Sequence, residues 1–528
     1  MEQSILSLIA QGFATVCTPT GLFIVFVCVA TGIVFGAIPG LSATMAVALF
    51  LPVTYGMKPS NAMTMLMSLY IGGVSGGLIS AILLRIPGTP SSVATCFDGH
   101  PLAAKGQAAK ALGVGIVFSF LGTILSILCL MFISPWLASI AIEFGPYQYF
   151  SIAFFSLTMI ASLSGNSLVK GVFSGALGFI FATVGIAPVD AVQRFTFGNI
   201  QLMSGFDILT VMIGLFAVGE IISSTKSASS EQQEEITKPD MKSVKGFGFS
   251  WAEFKSQQVN MFRSAAIGIG IGILPGIGGG TANILAYSVA KNQSKYPEKF
   301  GTGVIDGVVA SETSNNAAIG GALIPLLTLG IPGDTVTAML LGGLMIHGIS
   351  PGPRLFVEHT HLVYGIFAAL TVATFAMLFM EFYGLRIFVK LLSIPKHILL
   401  PVIFCLCGVG AYGLNSRIFD IWSVIVFGII GFGFTVFRIP IAPFILGFIL
   451  GPMAETSFRR GLDLYKTLPD PLQPMWDSWI CRLFIGIAVF SVCLTAYKQY
   501  TRAKRERLNR TLSGRTFNEN GEEEDPAL

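Results

Sequence analysis

The sequence predicts an all-α polytopic membrane protein made of two related halves with inverted topology. Three observations lead to this prediction. Only 11% of the 528 residues are charged and 53% are hydrophobic, whereas a soluble globular protein carries roughly 25% charged residues. Apolar runs of about 20 residues, long enough to cross a bilayer as a helix, recur along the chain. Two Pro-Gly motifs of the first half return in the same order in the second.

The apolar segments form two blocks separated by one hydrophilic interval. The first block has segments near 21–38, 41–57, 62–84, 107–134, 137–163, 168–188 and 204–224. The second has segments near 261–290, 311–331, 334–349, 361–393, 397–414, 418–436, 440–453 and 478–499. Several are so short or so rich in Gly and Pro that we expect re-entrant helices. The predicted divisions are a first transmembrane repeat (1–222), a linker (223–260), a second transmembrane repeat (261–476), an additional C-terminal transmembrane helix (477–500) and a tail (501–528).

The distribution of basic residues predicts the orientation. A cluster follows the last apolar segment, namely Lys498, Arg502, Lys504, Arg505, Arg507 and Arg510. Positive residues stay on the cytoplasmic side, so we expect a cytoplasmic C-terminus and, from its lysines, a cytoplasmic linker. The first 20 residues contain no Lys or Arg, which favours an external start. An odd number of crossings in the first half then inverts the second half.

The repeat is visible in two pairs of motifs. GIVFGAIPGLSAT in the first half matches GIGIGILPGIGGGT in the second. Corresponding Gly and Pro residues of the two motifs are 236 positions apart, for example Pro39 and Pro275 (275 − 39). GGLISAILLRIPGTPSS matches GALIPLLTLGIPGDTVT at 332 − 87 = 245 for Pro332 and Pro87. Chance similarity between glycine-rich membrane helices is the alternative. Two ordered motifs at nearly equal spacing favour an inverted repeat.

Broken helices at corresponding positions of two halves indicate the binding site of a secondary transporter. A helix that begins after a Pro-Gly break has unpaired N–H groups and the positive end of its dipole, which suits an anion. Hydroxyl and amide side chains near the breaks would add hydrogen bonds. The predicted substrate-binding residues are Pro39, Gly40, Ser42, Thr44, Gly88, Thr89, Ser91, Ser92, Gly276, Gly278, Gly279, Thr281, Asn315, Asn316, Pro332, Gly333 and Thr335. Hydroxyl groups that bond to their own helix and glycines that only pack helices are the structural alternatives.

Ionisable residues in apolar runs are costly, so they are functional candidates. They are Glu312, Asp334, Arg85, Glu220, Asp207 and Arg194. Glu312, Asp334 and Asn315 are the predicted ion-coupling residues, because a sodium ion prefers oxygen ligands. Asp334 has a second interpretation as the N-cap of the helix after Pro332-Gly333, and Arg85 could extend to the headgroups.

Composition and motifs exclude several classes of protein. The net charge of +4 is too small to favour nucleic acid as a partner. The eight cysteines and five histidines show no spacing typical of zinc or of a disulfide framework. No nucleophile elbow, P-loop or HExxH motif occurs. We therefore expect no enzyme activity and no cofactor other than sodium ions.

Specific motifs extend these predictions. Gly36–Thr44, Arg85–Gly113 and Gly272–Pro353, together with RFTFG at 194–198 and GISPGPRLF at 348–356, resemble the large membrane subunit of the bacterial tripartite tricarboxylate transporters. The resemblance covers the chain to about Leu462.

The resemblance implies a multi-pass protein of the bacterial inner membrane and an elevator-like carrier. It also implies two partners, a periplasmic solute-binding protein that delivers a carboxylate substrate and a small membrane subunit. Uptake of citrate-like di- and tricarboxylates would be driven by sodium or protons, and a homodimer is compatible with such a carrier. A channel and a carrier without a binding protein are the alternatives, and an intramembrane enzyme ranks third.

Overall fold

The computed structural model of the chain describes residues 5–163, 168–227, 248–391 and 396–512. The predicted all-α polytopic class is confirmed, since helices dominate and six segments are long and apolar enough to cross a membrane. These are Pro19–Ala37, Pro59–Leu84, Thr95–Ala141, Thr360–Gly384, Ile418–Val436 and Ile441–Leu464. Within the predicted linker and tail, residues 228–247 and 513–528 lie outside the described part.

In its described residues, the first half contains eleven α-helices and one small β-hairpin. The helices are α1 (Ile5–Val16), α2 (Pro19–Ala37), α3 (Ala43–Phe50), α4 (Pro59–Leu84), α5 (Thr95–Leu102), α6 (Ala108–Ala141), α7 (Pro146–Leu163), α8 (Leu168–Ala182), α9 (Ile200–Met203), α10 (Ile208–Met212) and α11 (Gly219–Ser227). Strands β1 (Gly185–Ile186) and β2 (Gln193–Arg194) pair antiparallel. Short 3-10 turns occupy Pro52–Gly56 and Pro90–Ser92, and π-helical turns occupy Ala103–Gln107 and Ile213–Val218.

The described residues of the second half form helices connected by turns and loops, with no strand among them. Its helices are α12 (Trp251–Ser256), α13 (Gln258–Ile273), α14 (Gly278–Gln293), α15 (Ile305–Leu329), α16 (Thr335–Ile346), α17 (Leu355–Glu358), α18 (Thr360–Leu391), α19 (Lys396–Asn415), α20 (Ile418–Val436), α21 (Ile441–Leu464), α22 (Gln473–Asp477) and α23 (Trp479–Leu512). A 3-10 turn occupies Pro297–Lys299. Helix α23 continues past residue 500, so the beginning of the predicted tail is helical.

Small residues bring α2 and α4 into direct contact. A Cβ atom on Gly36 would lie 2.2 Å from the carbonyl oxygen of Gly73, and one on Gly72 would lie 2.3 Å from that of Val29. Membrane helices associate through such close backbone approaches. The Gly72-x-x-x-Gly76 stripe is therefore a packing face, and α4, whose core is fully buried, lies at the centre of the bundle.

Helices α13 and α14 form a hairpin whose two outer ends meet. Arg263 near the start of α13 donates a 2.7 Å hydrogen bond to Gln293 at the end of α14. The two helices therefore run antiparallel, with their outer ends side by side. Helix α13 packs closely on α15, where a Cβ atom on Gly268 would lie 2.3 Å from the carbonyl oxygen of Ser314.

A second group of helices surrounds this core. Helix α21 packs against α7 and α8, α23 packs on α7, and α20 packs on the segment from α10 to α11. Contacts between aromatic rings, such as Phe427 with Phe181 at 5.2 Å between centroids, fill the space between these helices. The loop with β1 and β2 is fixed to α21 by the bidentate pair of Arg194 and Glu455, at 2.9 and 2.7 Å.

Helix α12 is connected to α6 by an ion pair. Glu253 forms a capping box with Ser250 and accepts a hydrogen bond from Lys110. This hydrogen bond is the main cause that lowers the pKa of Glu253. A lowered carboxyl pKa stabilises the fold above its unfolded value of about 4.3, and the contribution is lost as the pH falls through the folded pKa.

The Glu253→Gln substitution should therefore lower thermal stability slightly at neutral pH and have no effect at acidic pH. The expected loss is about 0.2–1 kcal/mol, the range for partly exposed ion pairs. Thermal unfolding in detergent at both pH values measures it. A Glu298→Gln variant, in an exposed turn, is the control. An equal loss at both pH values would contradict the ion-pair interpretation.

Candidate functional site

Helices α2 and α3 contact each other and form a second hairpin. In each hairpin, a left-handed glycine lies at the Pro-Gly motif between the two helices. Gly40 has a φ of +90° and follows the end of α2, while Gly276 has a φ of +76° and follows the end of α13. Side-chain-bearing residues rarely adopt this conformation. Since Pro39 and Pro275 cannot donate a backbone hydrogen bond, each motif ends one helix and allows the next one to start in a new direction.

Three of the four Pro-Gly breaks, at Pro39-Gly40, Pro87-Gly88 and Pro332-Gly333, are followed by polar caps, whereas α14, after Pro275-Gly276, has no side-chain cap. The Ser42 hydroxyl oxygen accepts a 3.1 Å hydrogen bond from the Met45 N–H and caps α3. Asp334 caps α16, accepting 2.7 Å bonds from both the N–H and the hydroxyl group of Thr337. At the corresponding place in the first half, the Thr89 N–H donates to the Ser92 hydroxyl group at 3.3 Å. The N-cap interpretation of Asp334 is therefore the one that the structure shows.

The first contact between the breaks joins α3 to α16. The hydroxyl oxygens of Thr44 and Thr335 lie 2.9 Å apart, although the two residues come from opposite halves of the sequence. The Tyr70 hydroxyl group on α4 donates a 2.6 Å hydrogen bond to the second carboxylate oxygen of Asp334. Two helix N-termini therefore converge at one place.

The other two breaks join there as well. Cβ atoms on Gly279 and Gly280 would lie 3.4 Å from Ser91 Cβ and 3.2 Å from the carbonyl oxygen of Pro90. A Cβ atom on Gly278 would lie 3.1 Å from Asp334 Cβ. The beginning of α14 thus contacts both the Pro90–Ser92 turn and the cap of α16, so residues of all four breaks meet in one region.

The start of α14 has the geometry of an anion-binding turn. Ile277 is right-handed (φ −78°, ψ −48°) and Gly278 is left-handed (φ +66°). Successive residues of opposite hand form a concave arrangement of N–H groups that attracts anions. Three consecutive glycines also keep side chains away from this backbone. The Thr281 side chain is exposed.

Asn315 is a buried amide of the site whose two polar atoms both lack a partner among the described residues. Its side chain is 1% exposed, and neither of its amide atoms has a hydrogen-bond partner. A Cβ atom on Gly279 would lie 2.7 Å from Asn315 Oδ1, so only glycine leaves room there. Buried amides are nearly always hydrogen-bonded, which makes Asn315 the strongest indication of a ligand.

Glu312 and Asn316 face a different neighbour, helix α6. Glu312 is fully buried and accepts hydrogen bonds from Thr95, Ser119 (2.9 Å) and Asn316 (3.3 Å). The amide nitrogen of Asn316 also donates to Ser119 at 2.9 Å, while its Oδ1 has no partner. These two predicted residues form a buried hydrogen-bond network with α5 and α6, on a different face of α15 from Asn315.

Two of the other ionisable candidates, Asp207 and Arg194, have structural roles. Asp207 caps α10 through the Leu209 N–H at 2.8 Å, and Arg194 forms the ion pair described above. Arg85 is exposed at the left-handed end of α4, as expected for a residue that extends to the headgroups. Glu220 is partly buried in α11, outside the contacts that join the four breaks.

Two participating residues were missed in the sequence. Tyr70 lies 245 positions before Asn315, so the repeat offset could have identified it. Asn283 on α14 accepts a 2.7 Å bond from the Ala94 N–H and donates to the Ser311 carbonyl at 3.1 Å. It joins the two halves beside the site, and a single polar residue in an amphipathic helix gave no signal of this contact.

Comparisons with known proteins identify the family of this chain. The model of the tripartite tricarboxylate transporter TctA family matches residues 22–446. An uncharacterized 52.8 kDa protein in the TAR-I ttuC' 3' region of Agrobacterium vitis is 35% identical over 458 residues, covering 87% of this chain and 90% of the relative. A protein in the TAR-II ttuC' 3' region of the same organism is 39% identical over 192 residues, covering 36% of this chain and 79% of the relative. No solved structure matches. The chain therefore belongs to the tripartite tricarboxylate transporter TctA family, as the membrane component of such a transporter.

Proposed function

We propose that the four breaks bind the carboxylate groups of a citrate-like di- or tricarboxylate, which this subunit imports by secondary transport. The observation that carries the proposal is Asn315, a buried amide without a partner beside the N–H groups at the start of α14. An amide nitrogen and backbone N–H groups are the donors that a carboxylate accepts from. The N-termini of α3, α14 and α16 add positive dipole ends.

We further propose that the two halves are inverted repeats, because their glycine contacts correspond residue by residue. Cβ atoms on Gly32 and Gly268 would meet the carbonyl oxygens of Leu69 and Ser314, at 2.6 and 2.3 Å. The two glycines, Gly32 and Gly268, are 236 residues apart (268 − 32). The residues whose carbonyl oxygens they would meet, Leu69 and Ser314, are 245 residues apart (314 − 69).

The same correspondence holds at the second breaks. Cβ atoms on Gly88 and Gly333 would meet the carbonyl oxygens of Gly36 and Gly272, at 2.1 and 2.5 Å. These offsets are again 333 − 88 = 245 and 272 − 36 = 236. The same two sequence offsets, 236 and 245 residues, relate the contacting residues at both places. This agreement supports a duplication of the two halves, because unrelated glycine-rich helices would not make contacts at matching positions.

The proposed orientation follows from the charges at one end of the bundle. Lys110 contacts Glu253, and Gly303 packs on Leu102, so loops from both halves meet there. This end contains a basic set, namely Lys105, Lys110, Lys255, Arg263, Lys291, Lys295 and Lys299, whereas the loop between α3 and α4 has only Lys58. Positive residues favour the cytoplasm, so the α13–α14 hairpin would enter from the cytoplasmic side of the bacterial inner membrane and the α2–α3 hairpin from the periplasmic side.

Cation coupling is proposed because of Asp334. An anionic substrate at the meeting point of the breaks would lie near this carboxylate, and like charges repel strongly in a low dielectric. A sodium ion or a proton bound with the substrate would offset that repulsion. We propose Asp334, Asn315 and Glu312 as the groups that interact with the coupling ion.

The proposed partners follow from the family. A tripartite transporter has further subunits, and we propose a periplasmic solute-binding protein and a small membrane subunit. Two hairpins that enter from opposite sides and meet at one site also suit an elevator-like movement, since the site is accessible only when one hairpin leaves its contacts.

The Asn315→Ala substitution tests the proposed site. The variant should fold normally, because no protein hydrogen bond is lost, but its apparent affinity for citrate should fall about tenfold, the equivalent of about 1.4 kcal/mol. Uptake of radiolabelled citrate into proteoliposomes with the partner subunits measures this loss. We expect a smaller loss in Thr335→Ala.

Asn283→Ala is the matched control for this experiment. It removes a buried amide of the same size that is fully hydrogen-bonded, so it should reduce thermal stability. An Asn315→Ala variant that loses stability as Asn283→Ala does, with unchanged citrate affinity, would assign Asn315 to the fold and contradict the proposed site.

A further inference from the structure

A second buried carboxyl group lies in the core, on α18. The side chain of Glu381 is fully buried. One oxygen accepts a 2.9 Å hydrogen bond from the Ser75 hydroxyl group on α4, and the other oxygen has no partner. It differs from Glu312, whose carboxyl group accepts three side-chain hydrogen bonds.

The elements packed around α18 bring no free cation to Glu381. Helices α1, α2 and α4 contain no Asp, Glu, Lys, Arg or His, and their titratable groups are Cys28 and Tyr70. Helix α6 contributes Cys129 and Lys110, of which Lys110 pairs with Glu253, and α17 contributes Glu358. Glu312 on α15 interacts electrostatically with Glu381. On α18 itself, Arg386 and Lys390 come five and nine positions after Glu381, spacings that do not make them side-chain neighbours on a helix. Among the described side chains, the charge that interacts with Glu381 is therefore that of Glu312, which has the same sign as an ionised Glu381.

Among the described side chains, an ionised carboxylate in this position would have one hydrogen bond and no counter-ion. An unpaired charge is strongly unfavourable in a low-dielectric interior, whereas a neutral carboxyl group is far less so. An apolar residue at this place would avoid even the cost of the unpartnered oxygen. Buried ionisable groups inside membrane proteins often form proton pathways.

The geometry points to Glu381 as a proton-binding site of the carrier, paired with Ser75 and separate from the carboxylate site at the four breaks. The Glu381 side chain takes up one proton at its unpartnered oxygen and releases it when α18 and α4 separate or when water reaches the group. This inference rests on the proposed function and deepens it, since it names a further group, outside the carboxylate site, through which a proton gradient would act.

Infrared spectroscopy of the purified full chain in detergent tests the proton directly. At neutral pH the wild type should show a protonated carboxyl C=O band that shifts in D₂O and is absent from Glu381→Gln. Ser75→Ala should retain the band at a shifted frequency, because the carboxyl group loses its hydrogen bond. Glu143→Gln, at an exposed helix end, is the control. A spectrum unchanged in Glu381→Gln, or a wild type without the band, overturns the inference, whether or not citrate is transported.

The pH dependence of citrate uptake tests the coupling. Wild-type uptake should change several-fold between about pH 6 and about pH 8, and uptake by a folded Glu381→Gln variant by less than about twofold. A variant whose pH dependence equals that of the wild type would reduce Glu381 to a neutral structural group and overturn the inference. Size-exclusion profiles of both proteins establish that the variant is folded.

Discussion

Replacing Gly40 or Gly276 by valine should abolish citrate uptake while the protein still inserts into the membrane. Both glycines are left-handed, at φ +90° and +76°, and a β-branched residue there is a strong outlier. The left-handed conformation costs about 1–2 kcal/mol per residue, so the chain would relax by turning the first residues of α3 or α14 away from the site. Uptake in proteoliposomes and the amount of protein in the membrane are measured together.

The matched control is Gly106→Val. Gly106 is also left-handed, at φ +80°, but a Cβ atom there would meet nothing within 4 Å, and the residue lies in the turn between α5 and α6. The same backbone strain should therefore leave uptake largely intact. Normal uptake by Gly40→Val and Gly276→Val would contradict the assignment of the site to the Pro-Gly breaks.

Replacing Gly36 or Gly272 by leucine should prevent folding. A Cβ atom on Gly36 would lie 2.2 Å from the Gly73 carbonyl oxygen, and one on Gly272 would lie 2.6 Å from that of Ala318. These contacts are with backbone, which cannot move without separating α2 from α4 or α13 from α15. Overpacking of this kind costs about 1–3 kcal/mol or more, and the close approach supplies the packing energy between membrane helices. The monodisperse fraction in size-exclusion chromatography measures the loss.

Gly433→Leu serves as the comparison, because a Cβ atom at this position on α20 meets nothing within 4 Å. Losses of similar size at Gly36 and Gly272, with little loss at Gly433, are the expected pattern. Since the two glycines occupy corresponding places in the proposed repeats, a large loss at only one of them would contradict their equivalence.

Much of the fold could be predicted from the sequence because a bilayer imposes strong rules. Long apolar runs and few charges led to an all-α membrane protein, and the family motifs identified its relatives. The breaks at Pro39-Gly40 and Pro332-Gly333 were also located, since Pro and the nearby left-handed glycines, Gly40 and Gly330, end helices for local reasons. Exact helix ends were harder to predict. The sequence predicted an apolar segment near 107–134, whereas α6 extends from Ala108 to Ala141.

The site was harder to predict because it depends on contacts between distant residues. The sequence suggested that Asn315, Asn316 and Glu312 act together, but residues one helical turn apart face one neighbour while the next residue faces another. Glu312 and Asn316 accordingly bond to α6, and Asn315 alone faces α14. The sequence left two interpretations of Asp334 open, a helix N-cap and an ion-coupling residue. Its contact with Tyr70 could not be predicted from local sequence, because Tyr70 lies in the other half of the chain.

Citrate uptake with separately imposed sodium and proton gradients is the most direct test of the central claim that the four breaks form the substrate site of a secondary carrier. Proteoliposomes would contain this chain and its partner subunits, with wild type, Gly276→Val and Gly106→Val compared. We predict saturable uptake that requires one of the gradients, persists in Gly106→Val and is lost in Gly276→Val. A citrate conductance that neither saturates nor depends on a gradient, or full uptake by Gly276→Val, would contradict it.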